Sequence, residues 1–270
     1  MRLSSLRVWL VSAPLAMFAC GPAPEVDPNA EPGMAPEVGA AADAGMVQGD
    51  HVPTERGDLV IQPVSHATFA MAWDGKSIYV DPVGGAEAFA ELPRPELILI
   101  TDVHGDHLDA DTLLAVATAE TQIVAPAAVV EQLPENLRSQ ARTLANGEDA
   151  SVLDMTIEAV PMYNLTEERL GYHEKGRGNG YVVTMGGTRI YISGDTEDIP
   201  EMRALEDIDV AFVAFNLPYT MTEEQAASAV LEFQPAVVYP YHYRGSDVDA
   251  FAATVARGNA DIEVRRGAWY

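Results

Sequence analysis

The stretch that decides the fold is Leu97-Ile98-Leu99-Ile100-Thr101-Asp102-Val103-His104-Gly105-Asp106-His107, an apolar run followed directly by two carboxylates and two imidazoles. A short apolar run of this kind predicts a strand that is buried on both faces. Unpaired charges at the end of such a strand would be costly to desolvate, and a cation that gathers them removes that cost. The stretch therefore predicts a metal site. The alternative interpretation is a polar loop before a helix, with Asp109 or Asp111 as the N-cap.

Strand and helix patterns alternate along the rest of the chain from residue 59 onward. Strands are predicted at 59–64, 69–73, 78–80, 97–100, 123–125, 155–160, 181–185, 189–193, 210–215, 236–239 and 262–264, and helices at 111–118, 127–132, 222–233 and 247–256. The dipeptide Asp74-Gly75 predicts a hairpin turn, so the opening strands are antiparallel. The order predicts a layered α/β fold in which helices cover the faces of sheets. The sequence contains no internal repeat at a fixed period.

The N-terminal part of the chain has a different character. Two arginines precede the apolar stretch 8–19, which is too short to span a bilayer, and Cys20 follows it. The pattern predicts a signal peptide over residues 1–19 and resembles a bacterial lipoprotein signal, in which Cys20 carries the lipid. Cleavage near Ala19 by ordinary signal peptidase is the alternative. We therefore expect an exported protein on the periplasmic side of a bacterial cell envelope, anchored to the membrane through lipid alone.

Composition limits the partners of the chain. Residues 20–57 are rich in Pro, Ala, Gly and Glu without apolar periodicity, which predicts a disordered tether and leaves one domain over 58–270. The formal net charge of −25 would repel the phosphate backbone of nucleic acid, which excludes nucleic acid as a partner. The expected partner is a small-molecule substrate. The single cysteine excludes an intramolecular disulfide bond.

Polar side chains recur where the predicted strands end, and ligands at the ends of successive strands can converge on one edge of a fold. They are His66, the Asp102 to His107 cluster, Asn164, Asp195 and His242. This series resembles the metallo-β-lactamase-fold hydrolase superfamily, whose signature is Thr-His-x-His-x-Asp-His after a buried strand, then a distant His, an Asp in Ser-Gly-Asp-Thr and a last His. The likeness covers about residues 59–270. It is closest to the branch of the ascorbate-phosphate lactonases and N-acylphosphatidylethanolamine phospholipases, through Ser65-His66-Ala67-Thr68-Phe69 and Val80-Asp81-Pro82.

The resemblance implies a single-domain, four-layer αββα sandwich and a role for each matching residue. It implies that His104 binds a first metal ion and that Asp106, His107 and His242 bind a second. Asp195 would bridge the two ions. Asp106 would also receive a proton from the attacking water, as the catalytic residue.

The sequence departs from the family pattern at the first metal. Asp102 stands in place of the leading His, and Asn164 stands where the distant His is expected. A carboxylate shifts metal preference toward harder ions, and an amide oxygen is a weaker donor. His173 either completes this site or contacts the substrate. Lys175 and Arg177, in the same glycine-rich loop, either hold an anionic group or are solvated.

The sequence thus predicts an exported hydrolase that uses one or two divalent ions and a metal-activated water on an ester, lactone or phosphodiester. Zinc is expected at the second site, and manganese or iron at the first because of its added carboxylate. His66 is expected to orient the site or to contact substrate. The alternative is a metal-binding or scaffolding protein of the same fold that has a degenerate first site and no turnover.

Overall fold

Two β-sheets of seven strands each form the centre of the structure, a computed structural model that describes residues 45–270. The predicted signal peptide, Cys20 and residues 21–44 of the predicted tether lie outside the described residues. Within residues 45–270, no helix combines the length and the apolar character that crossing a membrane requires.

The first sheet contains the strands in chain order. They are β1 (Asp50–Thr54), β2 (Gly57–Ser65), β3 (Thr68–Trp73), β4 (Lys76–Val80), β5 (Leu97–Leu99), β6 (Gln122–Ala125) and β7 (Ala141–Thr143). Pairing is antiparallel from β1 to β4 and parallel from β4 to β7. The connections that follow β5 and β6 contain helices α1 (Ala110–Val116), α2 (Ala127–Val130) and α3 (Glu135–Arg138).

The second sheet repeats this topology. Its strands are β8 (Asp149–Val152), β9 (Met155–Met162), β10 (Gly178–Met185), β11 (Thr188–Ile192), β12 (Val210–Ala214), β13 (Val237–Tyr241) and β14 (Glu263–Val264). Pairing is antiparallel from β8 to β11 and parallel from β11 to β14. Helices α4 (Pro200–Arg203), α5 (Glu223–Phe233) and α6 (Val248–Gly258) lie between the parallel strands. The repeat is one of strand order rather than of residue identity, which is why the sequence has no fixed period.

Three apolar layers hold the sheets and helices together. In the middle layer the inner faces of the two sheets meet, with the rings of Phe69 and Phe212 stacked at 4.2 Å between centroids. Leu113 of α1 packs on the outer face of the first sheet, and Val230 of α5 and Phe251 of α6 pack on the outer face of the second. Alternate residues of a strand face opposite sides, so the apolar run 97–100 serves both an inner and an outer layer. This αββα arrangement confirms the predicted fold class.

The predicted tether is wrong at its C-terminal end, because the folded part begins before residue 58. Strand β1 pairs with β2 in antiparallel register, and Val47 and Val52 are buried. The Tyr239 hydroxyl also donates to Asp50 Oδ2 at 3.0 Å, which ties β1 to β13. Single valines in a polar stretch show no periodicity, so the sequence does not predict a strand here. The strand forms because it pairs with the edge of β2, and it needs few apolar residues of its own.

Candidate metal centre

The strand ends bring most of the predicted site residues together. The Asp102 to His107 cluster follows β5, Asp195 follows β11 and His242 follows β13. Among the described residues, carboxylates and imidazoles form three groups whose ligand atoms lie within 4.8 Å of one another. Asp109 also caps α1, since its carboxylate accepts from the backbone N–H groups of Asp111 and Thr112. The loop therefore supplies both the polar cluster and the helix N-cap.

The second group, which corresponds to the predicted second metal site, is buried. His107 Nε2 and His242 Nε2 each lie 3.4 Å from Asp195 Oδ2. Asp106 borders this group, with Oδ2 3.3 Å from His242 Nε2 and Oδ1 3.9 Å from His107 Nε2. The side chain of Asp106 is 45% exposed, so one carboxylate of this set faces solvent.

Both imidazoles of this group are oriented from behind. His107 Nδ1 donates to Asp81 Oδ2 at 2.8 Å, and His242 Nδ1 faces Asn216 Oδ1 at 3.1 Å. Asp81 is itself fixed by the N–H and hydroxyl of Thr101. A proton on Nδ1 leaves the Nε2 lone pair free to bind a metal ion. The sequence reasoning assigned no role to Asp81 or Asn216, although both stand at strand ends as the predicted ligands do.

The first group corresponds to the predicted first metal site. Asp102 Oδ2 lies 2.6 Å from His104 Nδ1 and 3.7 Å from His173 Nε2. His173 Nε2 also lies 3.4 Å from Asp195 Oδ2. One oxygen of Asp195 is thus shared by both groups, which is the position that a bridging carboxylate needs.

His173 enters this group and Asn164 lies behind it. His173 Nδ1 donates to the Tyr219 carbonyl at 3.2 Å, which turns Nε2 inward. The Asn164 side-chain amide donates to the carbonyls of Arg169 and Tyr219 and lies 3.3 Å from His173 Nδ1. The structure therefore brings the imidazole to the site and keeps the Asn164 amide on the far side of that ring.

His66 forms the third group with Asp106 and His242. Its Nε2 lies 3.3 Å from Asp106 Oδ2, and its ring stacks on that of His242 at 3.7 Å between centroids. Its Nδ1 lies 2.6 Å from the hydroxyl of Tyr270. His66 thus contacts the same Asp106 oxygen that His242 contacts.

The two basic residues of the loop before β10 point in different directions. Arg177 Nη2 lies 3.3 Å from Asp102 Oδ2, directly against the first group. Lys175 Nζ instead pairs with Glu201 Oε1 at 2.7 Å and lies over the ring of Tyr163. Lys175 is therefore turned away from the carboxylates and imidazoles, because Glu201 offers it a carboxylate partner elsewhere. The expectation that Lys175 contacts substrate finds no support in this position.

The charges of the centre stabilise one another. Burial alone would raise the pKa of Asp195, but the neighbouring His242 and His107 hold it well below the usual range of a carboxyl. Burial would lower the pKa of His107, but the carboxylates of Asp195 and Asp81 raise it well above the usual value. Burial would raise the pKa of Asp102, but the hydrogen bond from His104 and the charges of His107 and His104 together lower it. The pKa of Asp106 is lowered as well. The carboxylates of Asp195, Asp102 and Asp106 therefore stay ionised, and their negative charge attracts cations to the centre.

The polar atoms left without partners fit a divalent metal ion. His107 Nε2, His173 Nε2 and Asp195 Oδ1 are buried and have no hydrogen-bond partner within the described structure. Leaving such atoms unsatisfied is costly, whereas imidazole nitrogens and carboxylate oxygens together are a donor set that suits zinc, manganese or iron. His107, His242, Asp195 and Asp106 could hold one ion, and Asp102, His104 and His173 with Asp195 could hold another.

A cavity of about 530 Å³ opens over the centre. Its walls include His66, His104, Asp106, Tyr172, His173, Asp195, Asn216, Leu217, Tyr219, His242 and Arg244. Leu217 and Tyr219 are about half exposed at its rim. A cleft of this size, in which polar groups converge beside aromatic and apolar side chains, is typical of small-molecule sites.

Comparisons with known proteins agree with the fold and with the class of metal-dependent hydrolases. The family described as Beta-lactamase superfamily domain matches residues 60–242. A UPF0173 metal-dependent hydrolase from Thermococcus onnurineus is 32% identical over 188 residues, covering 67% of this chain and 82% of the relative. A UPF0173 metal-dependent hydrolase from Symbiobacterium thermophilum is 30% identical over 236 residues, covering 78% and 99% respectively.

Solved structures give the same result. A crystal structure from Parabacteroides distasonis, assigned provisionally as a metal-dependent hydrolase, has a TM-score of 0.75 and 40% identity, and the match covers 83% of this chain and 100% of that one. The metallo hydrolase Igni18 from Ignicoccus hospitalis shares the fold alone, at 22% identity and a TM-score of 0.64 over 77% of this chain and 94% of that one. The chain therefore belongs to the metallo-β-lactamase-fold superfamily and, within it, to the UPF0173 family of metal-dependent hydrolases.

Proposed function

We propose that this protein hydrolyses a small ester, lactone or phosphodiester with a divalent ion held by His107, His242, Asp195 and Asp106. The observation that carries the proposal is the shared oxygen of Asp195, which lies 3.4 Å from the Nε2 atoms of His107, His173 and His242. Hydrogen bonds do not explain this convergence, because two of those three nitrogens are buried without a hydrogen-bond partner among residues 45–270.

The chemistry divides between the ion and the side chains. A bound ion of this type lowers the pKa of a coordinated water toward neutrality and polarises a carbonyl or phosphoryl oxygen. Asp106 is the one carboxylate of the second group that reaches solvent, so it is the residue that can accept the proton of the attacking water. Burial would raise its pKa, but the neighbouring imidazoles of His242 and His66 hold the pKa far below the usual range and keep Asp106 ionised at neutral pH.

The substrate class rests on the cavity and on the family resemblance. A volume of about 530 Å³ suits a small molecule. The lactonase and phospholipase branch, which shares the Ser65 to Phe69 stretch, suggests lactones and phosphodiesters as the first compounds to assay. The acidic charge of the chain supports the absence of nucleic acid among its partners.

Metal analysis combined with turnover tests this function. We expect metal-dependent hydrolysis of at least one compound in a panel of esters, lactones and phosphodiesters. His107→Ala and His242→Ala should each remove most of the bound metal, whereas Asp106→Ala should abolish turnover. His51→Ala is the matched control, because His51 is an exposed imidazole that pairs with Asp58 on the first sheet, away from the centre. Normal metal content in both histidine variants would refute the ligand assignment.

The contact between Asp102 and Arg177 favours a second candidate, a metal-binding protein of this fold without turnover. Asp102 already has a cationic partner, so the first site departs further from the family pattern than its sequence alone implies. A stably bound ion in the second group with no hydrolysis across the whole panel would favour this candidate.

We also propose that the protein is exported and anchored by a lipid on Cys20. The support is the sequence pattern of residues 1–20. The wild-type protein should fractionate with membranes, and Cys20→Ser should release it into the soluble fraction. A Cys20→Ser protein that stays with the membranes would overturn the lipid anchor.

A further inference from the structure

A guanidinium group occupies one side of the first group of ligands. Arg177 Nη2 lies 3.3 Å from Asp102 Oδ2, and Arg177 Nε lies 3.4 Å from Asp102 Oδ1. The two contacts form the fork with which arginine binds a carboxylate. Asp102 is fully buried and the Arg177 side chain is 22% exposed, so solvent screens the pair only weakly.

The backbone aims this arginine at the site. The Arg177 N–H donates to the Glu174 carbonyl in a turn in which Gly176 has a φ of 88°, and β10 begins at the next residue. Arg177 also donates to the carbonyl of Tyr172. Both the backbone and the guanidinium of Arg177 are therefore fixed by hydrogen bonds.

The same guanidinium contacts His104, a predicted ligand of the first ion. Arg177 Nη2 lies 3.4 Å from His104 Nε2, while His104 Nδ1 faces Asp102 Oδ2. A guanidinium can only donate, so Nε2 must accept and Nδ1 must carry the ring proton. An ion bound at Nδ1 would displace that proton and set an Nε2–H against an arginine N–H. An ion bound at Nε2 would meet the guanidinium directly. Either way, ligation by His104 conflicts with Arg177 in this position.

The second group shows the opposite arrangement. His107 and His242 have an acceptor behind Nδ1, in Asp81 and Asn216, and their Nε2 atoms face Asp195. Arginine and lysine make no ion pair with Asp195 or Asp106 among residues 45–270. The two metal sites therefore differ. The second site contains imidazoles that are already oriented for a metal ion, and the first site contains the guanidinium of Arg177.

We propose that Arg177 is the resident cation of the first position, so that the protein binds one metal ion tightly in the second group and a second ion only after Arg177 withdraws from Asp102. This inference rests on the proposed metal-dependent function but concerns the number of ions. It assigns Arg177 to the metal centre, as a residue that sets metal stoichiometry, rather than to substrate recognition.

The test is metal stoichiometry of the full chain, measured by elemental analysis after equilibrium dialysis against zinc or manganese, with calorimetric titration for the affinities. We expect one tightly bound ion in the wild type and two in Arg177→Met, with the added ion bound about 10- to 100-fold more tightly than any second ion in the wild type. Arg177→Lys, which keeps the positive charge, should still bind one metal ion tightly. Arg257→Met is the matched control, because Arg257 lies on α6 and its exposed side chain donates to the Thr254 hydroxyl on the same helix.

If Arg177→Met does not fold because Asp102 is left unpaired, the double variant Asp102→His/Arg177→Met removes that unpaired charge and should bind two ions. Two tight ions in the wild type, or one ion in every folded variant that lacks Arg177, would overturn the inference. A wild type that binds no ion would instead refute the proposed function, so the two failures are distinguishable.

Discussion

Asp81 is the residue on which the orientation of the second group depends most directly. It is fully buried at the end of β4, and its two carboxylate oxygens accept from the N–H and hydroxyl of Thr101 and from His107 Nδ1. Asp81→Asn would set an amide N–H against one of these donors. We expect metal affinity to fall by about 10- to 100-fold, the usual effect of losing a partner behind a ligating histidine. Competition with a chelator measures the metal affinity of Asp81→Asn and of the wild type.

Asp74→Asn is the control for this substitution. Asp74 also has a positive φ, of 49° against 45° for Asp81, but it lies in the exposed turn between β3 and β4 and pairs with Arg56 and Lys76. Its substitution should leave metal affinity unchanged. Equal affinities in the wild type and Asp81→Asn would mean that His107 does not depend on Asp81 for its orientation.

At the scale of elements, one loop decides how His173 reaches the centre. The buried carboxylate of Glu197 accepts from the backbone N–H groups of Leu165 and Thr166 at 2.6 and 2.7 Å and from Arg169 Nη1 at 2.6 Å. These contacts fold the chain after β9 back over the end of β11 and set the path toward His173.

Glu197→Gln should therefore loosen this loop. An amide cannot accept all three hydrogen bonds, and a buried donor left unpaired costs about 1–3 kcal/mol. We expect the free energy of unfolding in urea to fall by about that amount. Glu232→Gln is the control, because Glu232 makes an exposed pair with Arg203, and such pairs contribute about 0–1 kcal/mol. Equal losses in both variants would contradict the role given to Glu197.

The same loop shows where sequence reasoning stops. Strands with apolar runs, such as β5 and β12, are predictable because their burial requires those residues. The choice between Asn164 and His173 was not predictable, because it depends on contacts with Glu197 and the Tyr219 carbonyl, which are distant in sequence. Strands β7 and β8 are short and half polar, so neither gives a strand signal.

The hydrogen bond between Tyr239 and Asp50 predicts a pH effect on the first element of the fold. Burial raises the pKa of Tyr239 to about 12, above the ordinary 10.0. The folded state holds this proton more tightly than the unfolded state, so its contribution to stability is complete below pH 10 and is lost as the pH rises toward 12. Tyr239→Phe should be less stable than the wild type at neutral pH. The difference should narrow between pH 10 and 12, as urea unfolding at several pH values would reveal, and a constant difference would contradict this linkage.

At the scale of the whole molecule, two sheets with the same topology meet through one apolar layer. The centre lies at the sandwich edge to which β5 of the first sheet and β11 and β13 of the second contribute their C-terminal ends. Neither sheet alone holds a full set of ligands. The sequence predicts this convergence from strand ends, because carboxyl ends of parallel strands meet at one edge. It could not predict Arg177 beside Asp102, since residues 75 positions apart meet only through the packing of both sheets.

The N-terminal boundary of the folded molecule gives the last prediction. Residues 45–54 contribute buried Val47 and Val52 and pair β1 along the edge of β2. A chain that begins at Gly45 should match the full chain in stability. A chain that begins at Asp58 should lose about 3 kcal/mol or more, because two valines lose their burial and the edge of β2 loses its partner. Urea unfolding of both shortened chains at equal metal load measures the difference, and light scattering should detect association through the uncovered edge. Identical unfolding midpoints would mean that β1 contributes nothing to the free energy of unfolding, and that the stable fold begins at β2.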